Sequence, residues 1–263
     1  MVHDYTKKST RAVSVKYMKS ITNFNHFSVP KPLQHILTRK QSILDQLKTC
    51  SNLKNLGSVF ASMIKTNASQ DCFLVNQFIS ACSNCLQIDY ATLAFTHVES
   101  PNVFVYNAMI RGFVHCFHPT QALECYIHML RAEVMPTSYT FSSLIKACAS
   151  LSALGFGEAV HCHIWRNGFD SHVFVQTALI DFYSNFGKIG RSRRVFDEMP
   201  DRDPDRDVYA CTTIVFAYVC IGDLSSTRGL FEKMPERNTA TWNTMIDGYA
   251  RMRNVDSEEL LFN

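Results

Sequence analysis

The chain has 263 residues, enough for one or two domains that each bury a sizeable apolar core, and 46% of them are hydrophobic against 19% charged, which excludes a disordered chain. No apolar run approaches the ~18 residues of a membrane span, and the N-terminus lacks the apolar core of a secretory signal, so the ten irregularly spaced cysteines read as thiols in a reducing compartment. A formal net charge of +3 admits a nucleic-acid partner without selecting one.

Residues 1–36 carry Lys7, Lys8, Arg11, Lys16, Lys19 and Lys31 among scattered Ser and Thr, against the single acid Asp4. That composition suits a transit peptide; a solvated basic tail or an arm on phosphates is the alternative.

An internal repeat follows. The tetrapeptides starting at Asn107, Ser142, Thr177 and Thr212 (Asn-Ala-Met-Ile, Ser-Ser-Leu-Ile, Thr-Ala-Leu-Ile, Thr-Thr-Ile-Val) are spaced by 35 residues, and copies at Asn76 and Asn243 lie 31 residues outside them. Each unit is predicted to be two helices joined by a tight turn. In the first helix the apolar third and fourth tetrapeptide positions combine with two further apolar columns. One holds Cys82, Phe113, Cys148, Tyr183, Tyr218 and Tyr249, and the other Cys85, Cys116, Leu151, Phe186, Ile221 and Met252, together forming one expected buried stripe. The second helix carries Phe196 with Met199 and Phe231 with Met234, and is expected to stop at Pro200 and Pro235. A lone helical hairpin cannot bury such stripes, whereas stacked hairpins can, so the expected fold is all-α, a superhelix with a concave face.

The period alone admits a tetratricopeptide array, but that family's Trp, Leu-Gly, Tyr pattern is missing. Instead Val105-Tyr106-Asn107-Ala108-Met109-Ile110, Tyr139-Thr140-Phe141-Ser142-Ser143-Leu144-Ile145-Lys146-Ala147-Cys148 and Thr241-Trp242-Asn243-Thr244-Met245-Ile246-Asp247-Gly248-Tyr249 resemble pentatricopeptide repeat openings. The stretches from Val195 to Asp203 and from Leu230 to Asn238, both containing Phe-x-x-Met-Pro, resemble the closing segment of short repeats in the plant-specific PLS subclass, which mixes repeat lengths. The resemblance implies a right-handed superhelical solenoid of helix-turn-helix repeats. Its units are a degenerate one at 37–71, where Leu47-Lys48-Thr49-Cys50 resembles Ile145 to Cys148, then 72–102 (short), 103–137, 138–172 (long-type), 173–207 (short, with an insertion), 208–238 (short) and a partial 239–263. The near-duplication from Asp201 to Asp207 lets the fourth clear unit end at Asp203 or Asp207.

RNA bases are read by stacking and by hydrogen bonds along their edges. Three residues before each tetrapeptide stand Phe73, Phe104, Tyr139, Phe174, Tyr209 and Ala240, of which the aromatic five are candidate stacking groups. The tetrapeptides open with Asn76, Asn107, Ser142, Thr177, Thr212 and Asn243, short donors and acceptors for which helix capping is the competing explanation. The family pairs this residue with the last residue of its unit, which implies Asn76 with Asn102, Asn107 with Thr137, Ser142 with His172, Thr177 with Asp207 or Asp203, and Thr212 with Asn238. By that resemblance Asn with Asn selects a pyrimidine, Thr with Asp guanine, and Thr with Asn adenine; the other two pairs match no combination. Arg111 and Lys146, four residues after their tetrapeptide starts, are candidates for phosphate contact, although Asp181 and Asp247 share that column.

Two metal-like patterns fail on their own terms. Cys82-Ser-Asn-Cys85 followed by His97-Val-Glu99 has the zinc-deaminase elements in reversed order without the Pro, and both cysteines sit in apolar columns. His161-Cys162-His163 is a helical stretch whose neighbours point in different directions. No phosphate loop or nucleophilic triad appears. The resemblance therefore implies no enzyme, cofactor, metal, membrane or small-molecule substrate. It implies a sequence-specific binder of single-stranded organellar RNA, mitochondrial or alternatively chloroplastic, acting in RNA editing or modification as a recognition subunit. Longer relatives carry C-terminal E and DYW domains, the latter deaminase-like; neither occurs here, so editing-complex proteins would supply a deaminase in trans. A protein-binding solenoid and a non-functional truncated product are the alternatives.

Overall fold

The computed structural model describes residues 31–49, 53–199, 204–234 and 236–251. The targeting segment expected over 1–36 lies, as far as residue 30, outside the described residues, as do Asp203, Met252 and both Pro200 and Pro235.

The chain divides into two compact units, 1–46 and 47–263. The first holds most of helix α1 (Lys31–Thr49), in which Gln41 Nε2 donates to Asp45 Oδ1 at 3.0 Å. In the second, the described residues form helices α2 (Leu53–Lys65), α3 (Cys72–Asn84), α4 (Ile88–Thr96), α5 (Val103–His115), α6 (Pro119–Arg131), α7 (Ser138–Ser150) and α8 (Leu154–Arg166), with a 3₁₀ turn at Ala68–Gln70. Helices α9 (Val173–Asn185), α10 (Ile189–Asp197), α11 (Pro204–Cys220), α12 (Leu224–Lys233) and α13 (Thr239–Arg251) complete it. The odd-numbered helices from α3 onward pack on one another in sequence, and each even-numbered helix from α4 packs on the odd-numbered helix before it. The fold is thus the all-α solenoid of helix-turn-helix repeats that the period requires, and no described helix is long and apolar enough to cross a membrane.

One turn joins every such hairpin. The residue after the C-cap takes the left-handed conformation in all five: Leu86, Phe117, Ser152, Gly187 and Gly222, with φ between 52° and 77°. The next N–H then reaches back five residues to a carbonyl, from Gln87 to Cys82, His118 to Phe113, Ala153 to Cys148, Lys188 to Tyr183 and Asp223 to Tyr218, at 2.8–3.0 Å. This bond satisfies a carbonyl that the helix end leaves open. Three of the five turn residues carry a Cβ despite the strain of about 1 kcal/mol that positive φ imposes, which shows how firmly the stacked helices hold the turn.

Burial follows the apolar columns with one correction. Phe78, Met109, Leu144, Leu179, Ile214 and Met245 are buried, and so are Ile79, Ile110, Ile145, Ile180 and Val215. The column of Cys85, Cys116, Leu151, Phe186 and Ile221 is not a continuous part of that stripe, because Leu151 and Ile221 are exposed. Cys85, Cys116, Leu151 and Phe186 are the C-caps of their helices, where the chain leaves the helical path.

A second pair of columns sets how closely helices approach. Ala91, Ala122, Gly157, Ser192 and Thr227 are small and buried on the second helices. A column of the first helices likewise holds Ala81, Gly112, Ala147, Ala217 and Gly248 but has Phe182 in one place, and Phe182 meets Gly157. There the exchange is reciprocal: a Cβ on Gly157 would overlap the buried Phe182 ring. Gly157→Ala is expected to lower stability by about 1–3 kcal/mol through overpacking. On a Phe182→Ala background, which removes the ring that the new Cβ would meet, the same change should cost far less. Paired urea titrations of the four variants would read the difference.

Candidate nucleic-acid interface

The odd-numbered helices from α5 to α11 pack between two others of their kind, and in each odd-numbered helix from α3 to α13 the residue two before the tetrapeptide turns inward. Leu74, Val105, Thr140, Val175, Ala210 and Thr241 are all buried. The opposite edge stays open. Phe73, Phe104, Tyr139, Phe174 and Tyr209 are 49–67% exposed, a column of five aromatic rings presented to solvent near the start of five successive first helices. Three residues on, in the same helical direction, Asn76, Asn107, Ser142, Thr177 and Thr212 are half-buried and Asn243 is exposed.

In three of the expected pairs the capping group is the other member, Asn102, Thr137 or Asn238, and not the tetrapeptide residue. The tetrapeptide opens one turn inside its helix, and its hydroxyls bond backwards: Thr177 Oγ1 to Val173 O at 2.8 Å, Thr212 Oγ1 to Val208 O at 2.6 Å, and Ser142 Oγ to Tyr139 O at 3.2 Å. The unit's last residue is the N-cap of the next helix. Asn102 Oδ1 accepts from the N–H groups of Phe104 and Val105, both at 3.1 Å, and Asp71 caps Phe73 and Leu74 in the same way. Thr137 forms a capping box with Thr140, and Asn238 Oδ1 accepts from Thr241 N at 2.9 Å.

Two of the expected pairs are joined by direct or single-residue links. Asn107 Nδ2 donates to Thr137 Oγ1 at 3.0 Å, and Thr140 Oγ1 donates to Asn107 Oδ1. Thr212 Oγ1 lies 2.8 Å from Thr241 Oγ1, which donates to Asn238 Oδ1 at 2.9 Å. Thr140 and Thr241 were not anticipated. The signal was present as two hydroxyls in an otherwise apolar column of Leu, Val, Val and Ala. Elsewhere the pairing is looser. His172 is the N-cap residue of α9 and lies 5.8 Å, ring to ring, from Phe174. Helix α11 begins at Pro204, so Asp207 falls inside its first turn instead of before it.

The columns converge on a cleft of about 230 Å³ lined by Tyr209, Thr212, Phe216, Asn238 and Ala240, with Asp181 from the preceding unit on its rim. Its walls are thus an aromatic ring, a small residue one unit on, and the two hydrogen-bonding groups between them. Desolvation raises the Asp181 carboxyl above its usual range, against the opposing pull of Lys146. Arg111 is exposed and donates to Ser80 Oγ at 3.1 Å, a link along its own column.

The metal-like patterns separate. Cys82 lies in the core, Cys85 is a C-cap, and His97 ends α4 with its carbonyl accepting from Gln70 Nε2 at 2.6 Å. His161 bonds Tyr183 at 2.7 Å whereas His163 bonds Tyr126, so the two histidines serve two different helix contacts. Among the described residues no three His, Cys, Asp or Glu side chains are grouped to hold a metal ion. On the second helices Arg191 pairs with Glu158, and Arg193 with Asp197 at 2.8 Å.

Comparison with known proteins follows the same repeats. A PPR repeat family model matches residues 101–150, and a PPR repeat model matches 177–203, 209–239 and 240–263. A pentatricopeptide repeat-containing protein of Arabidopsis thaliana is 50% identical over 157 residues, 60% of this chain and 27% of its own length. A putative chloroplastic pentatricopeptide repeat-containing protein of the same plant is 34% identical over 167 residues, 64% of this chain and 30% of its length. The chain therefore spans less than a third of either relative. Among solved structures, the pentatricopeptide repeat protein PPR10 in complex with an 18-nt psaJ RNA element superposes with a TM-score of 0.66 at 17% identity, over 79% of this chain and 32% of that one. PPR10 from maize gives 0.58 at 16% identity, over 96% and 41%.

The raised Asp181 pKa carries a sign. A carboxyl whose folded pKa exceeds its unfolded value costs folding free energy when ionised, and the cost disappears as the pH falls through the folded value. Asp181 is exposed at the surface, which limits the effect, so Asp181→Asn is expected to be only slightly more stable than the parent at pH 7, with the gap narrowing as the pH drops through the carboxylate range. Thermal unfolding of both chains at pH 7 and pH 4 would measure this.

Proposed function

We propose that this chain, which belongs to the pentatricopeptide repeat family, binds single-stranded RNA sequence-specifically along the open edge of its first helices. The observation that carries the proposal is the repeated placement of an exposed aromatic ring beside a hydrogen-bonding pair built from the tetrapeptide opening and the next helix cap. Phe73, Phe104, Tyr139, Phe174 and Tyr209 would stack on bases, and short polar groups held between them would select the edge. The RNA held by PPR10, which has the same fold, supports this reading. Arg111 and Lys146 are the proposed phosphate contacts, in a column that is otherwise acidic or neutral.

The wider setting is part of the same proposal. The alternation of 35- and 31-residue units suggests the PLS subclass, and with it a recognition role in organellar RNA editing, with the deaminase supplied by another protein. Chloroplastic relatives and the basic composition of residues 1–36 support an organellar address, for which the mitochondrion is the proposed site. Residues 1–36 fused to a fluorescent reporter should enter mitochondria; chloroplast import would select the other organelle, and a cytosolic reporter would remove the organellar reading.

Base selection is the sharper test. Asn238 accepts from the backbone N–H of Thr241 through Oδ1, so its amide nitrogen is the group left to face a base. With Thr212 donating its own proton to protein, the pair offers one donor and one acceptor, which matches adenine. Asn238→Asp preserves the cap, because Asp and Asn are equivalent N-caps, but replaces the donor by an acceptor that suits the N–H groups of guanine. The unit at 208–238 should move from adenine to guanine by about fivefold, on the order of 1 kcal/mol. Competition binding with the four bases at that position measures it, and an adenine preference unchanged in the variant would sink the assignment.

A further inference from the structure

Resting on that RNA-binding reading, we propose that Thr140 is a specificity-setting residue for the unit before its own. It fixes the hydrogen-bonding face of Asn107 and Thr137 so that unit 103–137 selects cytosine.

Proton counting on the buried network determines the orientation. Thr140 is fully buried, so its hydroxyl must be satisfied within the protein. Its Oγ1 accepts from the backbone N–H of Thr137 at 2.9 Å, a donor that can point only one way. The single hydroxyl proton is then available to Asn107 Oδ1, 2.5 Å away. An amide held through Oδ1 must turn Nδ2 the other way, and Nδ2 is found 3.0 Å from Thr137 Oγ1. That oxygen also accepts from the backbone of Thr140 in the capping box. Both acceptor sites of the Thr137 hydroxyl are thereby occupied, and its own proton has within the protein only the Thr140 Oγ1 at 3.3 Å, the longest contact of the network, so it is the proton a base can draw outward.

The face left to a base is therefore two donors side by side: the second N–H of Asn107 and the O–H of Thr137. Phe104 and Tyr139, both exposed, flank it. On the Watson–Crick edge, adjacent acceptors occur in cytosine, at N3 and O2. Uracil and guanine place an N–H at the middle position, which would meet a donor, and adenine offers a single acceptor beside its amino group. With Val, Leu or Ala in the place of Thr140, as in other units, no hydroxyl would orient the preceding amide.

The experiment uses the full chain and four single-stranded RNAs that differ only at the nucleotide facing unit 103–137, with a second set varied opposite unit 208–238. The parent should prefer cytosine over uracil by about tenfold. Thr140→Val should reduce that ratio to within about twofold while leaving adenine selection at 208–238 intact, and Thr140→Ser, which restores the hydroxyl, should recover cytosine. A merely structural role for Thr140 would weaken all RNAs alike and leave the ratio unchanged, which would overturn the inference. If the Val variant fails to fold, Asn107→Asp supplies the second arm: it keeps the acceptor toward Thr140 but loses the outward donor, so cytosine selection should vanish, and its retention would overturn the inference. A parent that selects adenine at 208–238 but no cytosine at 103–137 overturns this inference alone. A parent with no base selection at either unit overturns the reading of the whole face.

Discussion

Everything on the open edge depends on the burial of each first helix between its neighbours. From α3 onward these helices contact one another in unbroken succession, with the second helices packed against them. A helix enclosed in this way has its two inward columns before the tetrapeptide and two within it committed to the core, where each large side chain contributes about 1.5–3 kcal/mol of burial. What remains is a narrow stripe at i, i+3 and i+7 spacing. Because the core does not use those positions, they can carry aromatic rings at the first turn and polar groups at the second without loss of packing. Five exposed rings in register would be an unexplained apolar burden in a protein whose surface had no partner.

Variation in unit length is kept away from that stripe. The second helices α6 and α8 have thirteen residues each and end in left-handed residues, Glu133 and Gly168, whose successors bond back to Met129 and Ile164 at 3.1 Å. In α4 and α12, with nine and ten residues, that final turn is missing. The difference is one helical turn, about 6 Å of length, removed from the second helix. The spacing from Thr177 to Thr212 is 35 residues for another reason. Helix α10 is short, with nine residues, and the extra four appear as an added first turn of α11, which has seventeen residues where α9 has thirteen. Equal spacings in the sequence therefore arise from two different structures, and in both the tetrapeptide keeps its place relative to the core.

The repeat and the helical hairpin were legible because the columns of Phe78 to Met245 and Ile79 to Val215 are apolar without exception. Hydropathy failed where its signal is weakest. The column from Cys85 to Ile221 looks apolar yet lies on the helix end, and residue type alone does not separate a cap from a core position. The small buried residues from Ala91 to Thr227 have no hydropathy period to betray them, although at Gly157 the missing Cβ is what admits the Phe182 ring. The capping role of Thr137 was not legible for a related reason. Asn, Ser and Thr serve equally at a cap and one turn inside a helix, and only the observed helix starts, four residues before Asn107 and Ser142, assign the cap to the end of the preceding unit.

This assignment makes capping and recognition two uses of one residue. An N-cap must offer an acceptor to the backbone N–H groups of the first turn, which limits the column to residues such as Asp, Asn, Ser and Thr. Asp71, Asn102, Thr137 and Asn238 obey that limit and His172 departs from it. Within the limit, one atom is committed to the backbone and the rest of the group is free: an amide leaves a donor, a carboxylate a second acceptor, a hydroxyl its proton. The stability contributed by the cap, about 1 kcal/mol, is similar for each, so a change among them alters the outward face while the fold is nearly unaffected. A solenoid built on capped helices can thus vary its hydrogen-bonding surface unit by unit, provided that the second residue of each pair is held in a fixed orientation. Where the neighbouring column supplies a buried hydroxyl, as at Thr140 and Thr241, the protein holds that residue through its own hydrogen bonds.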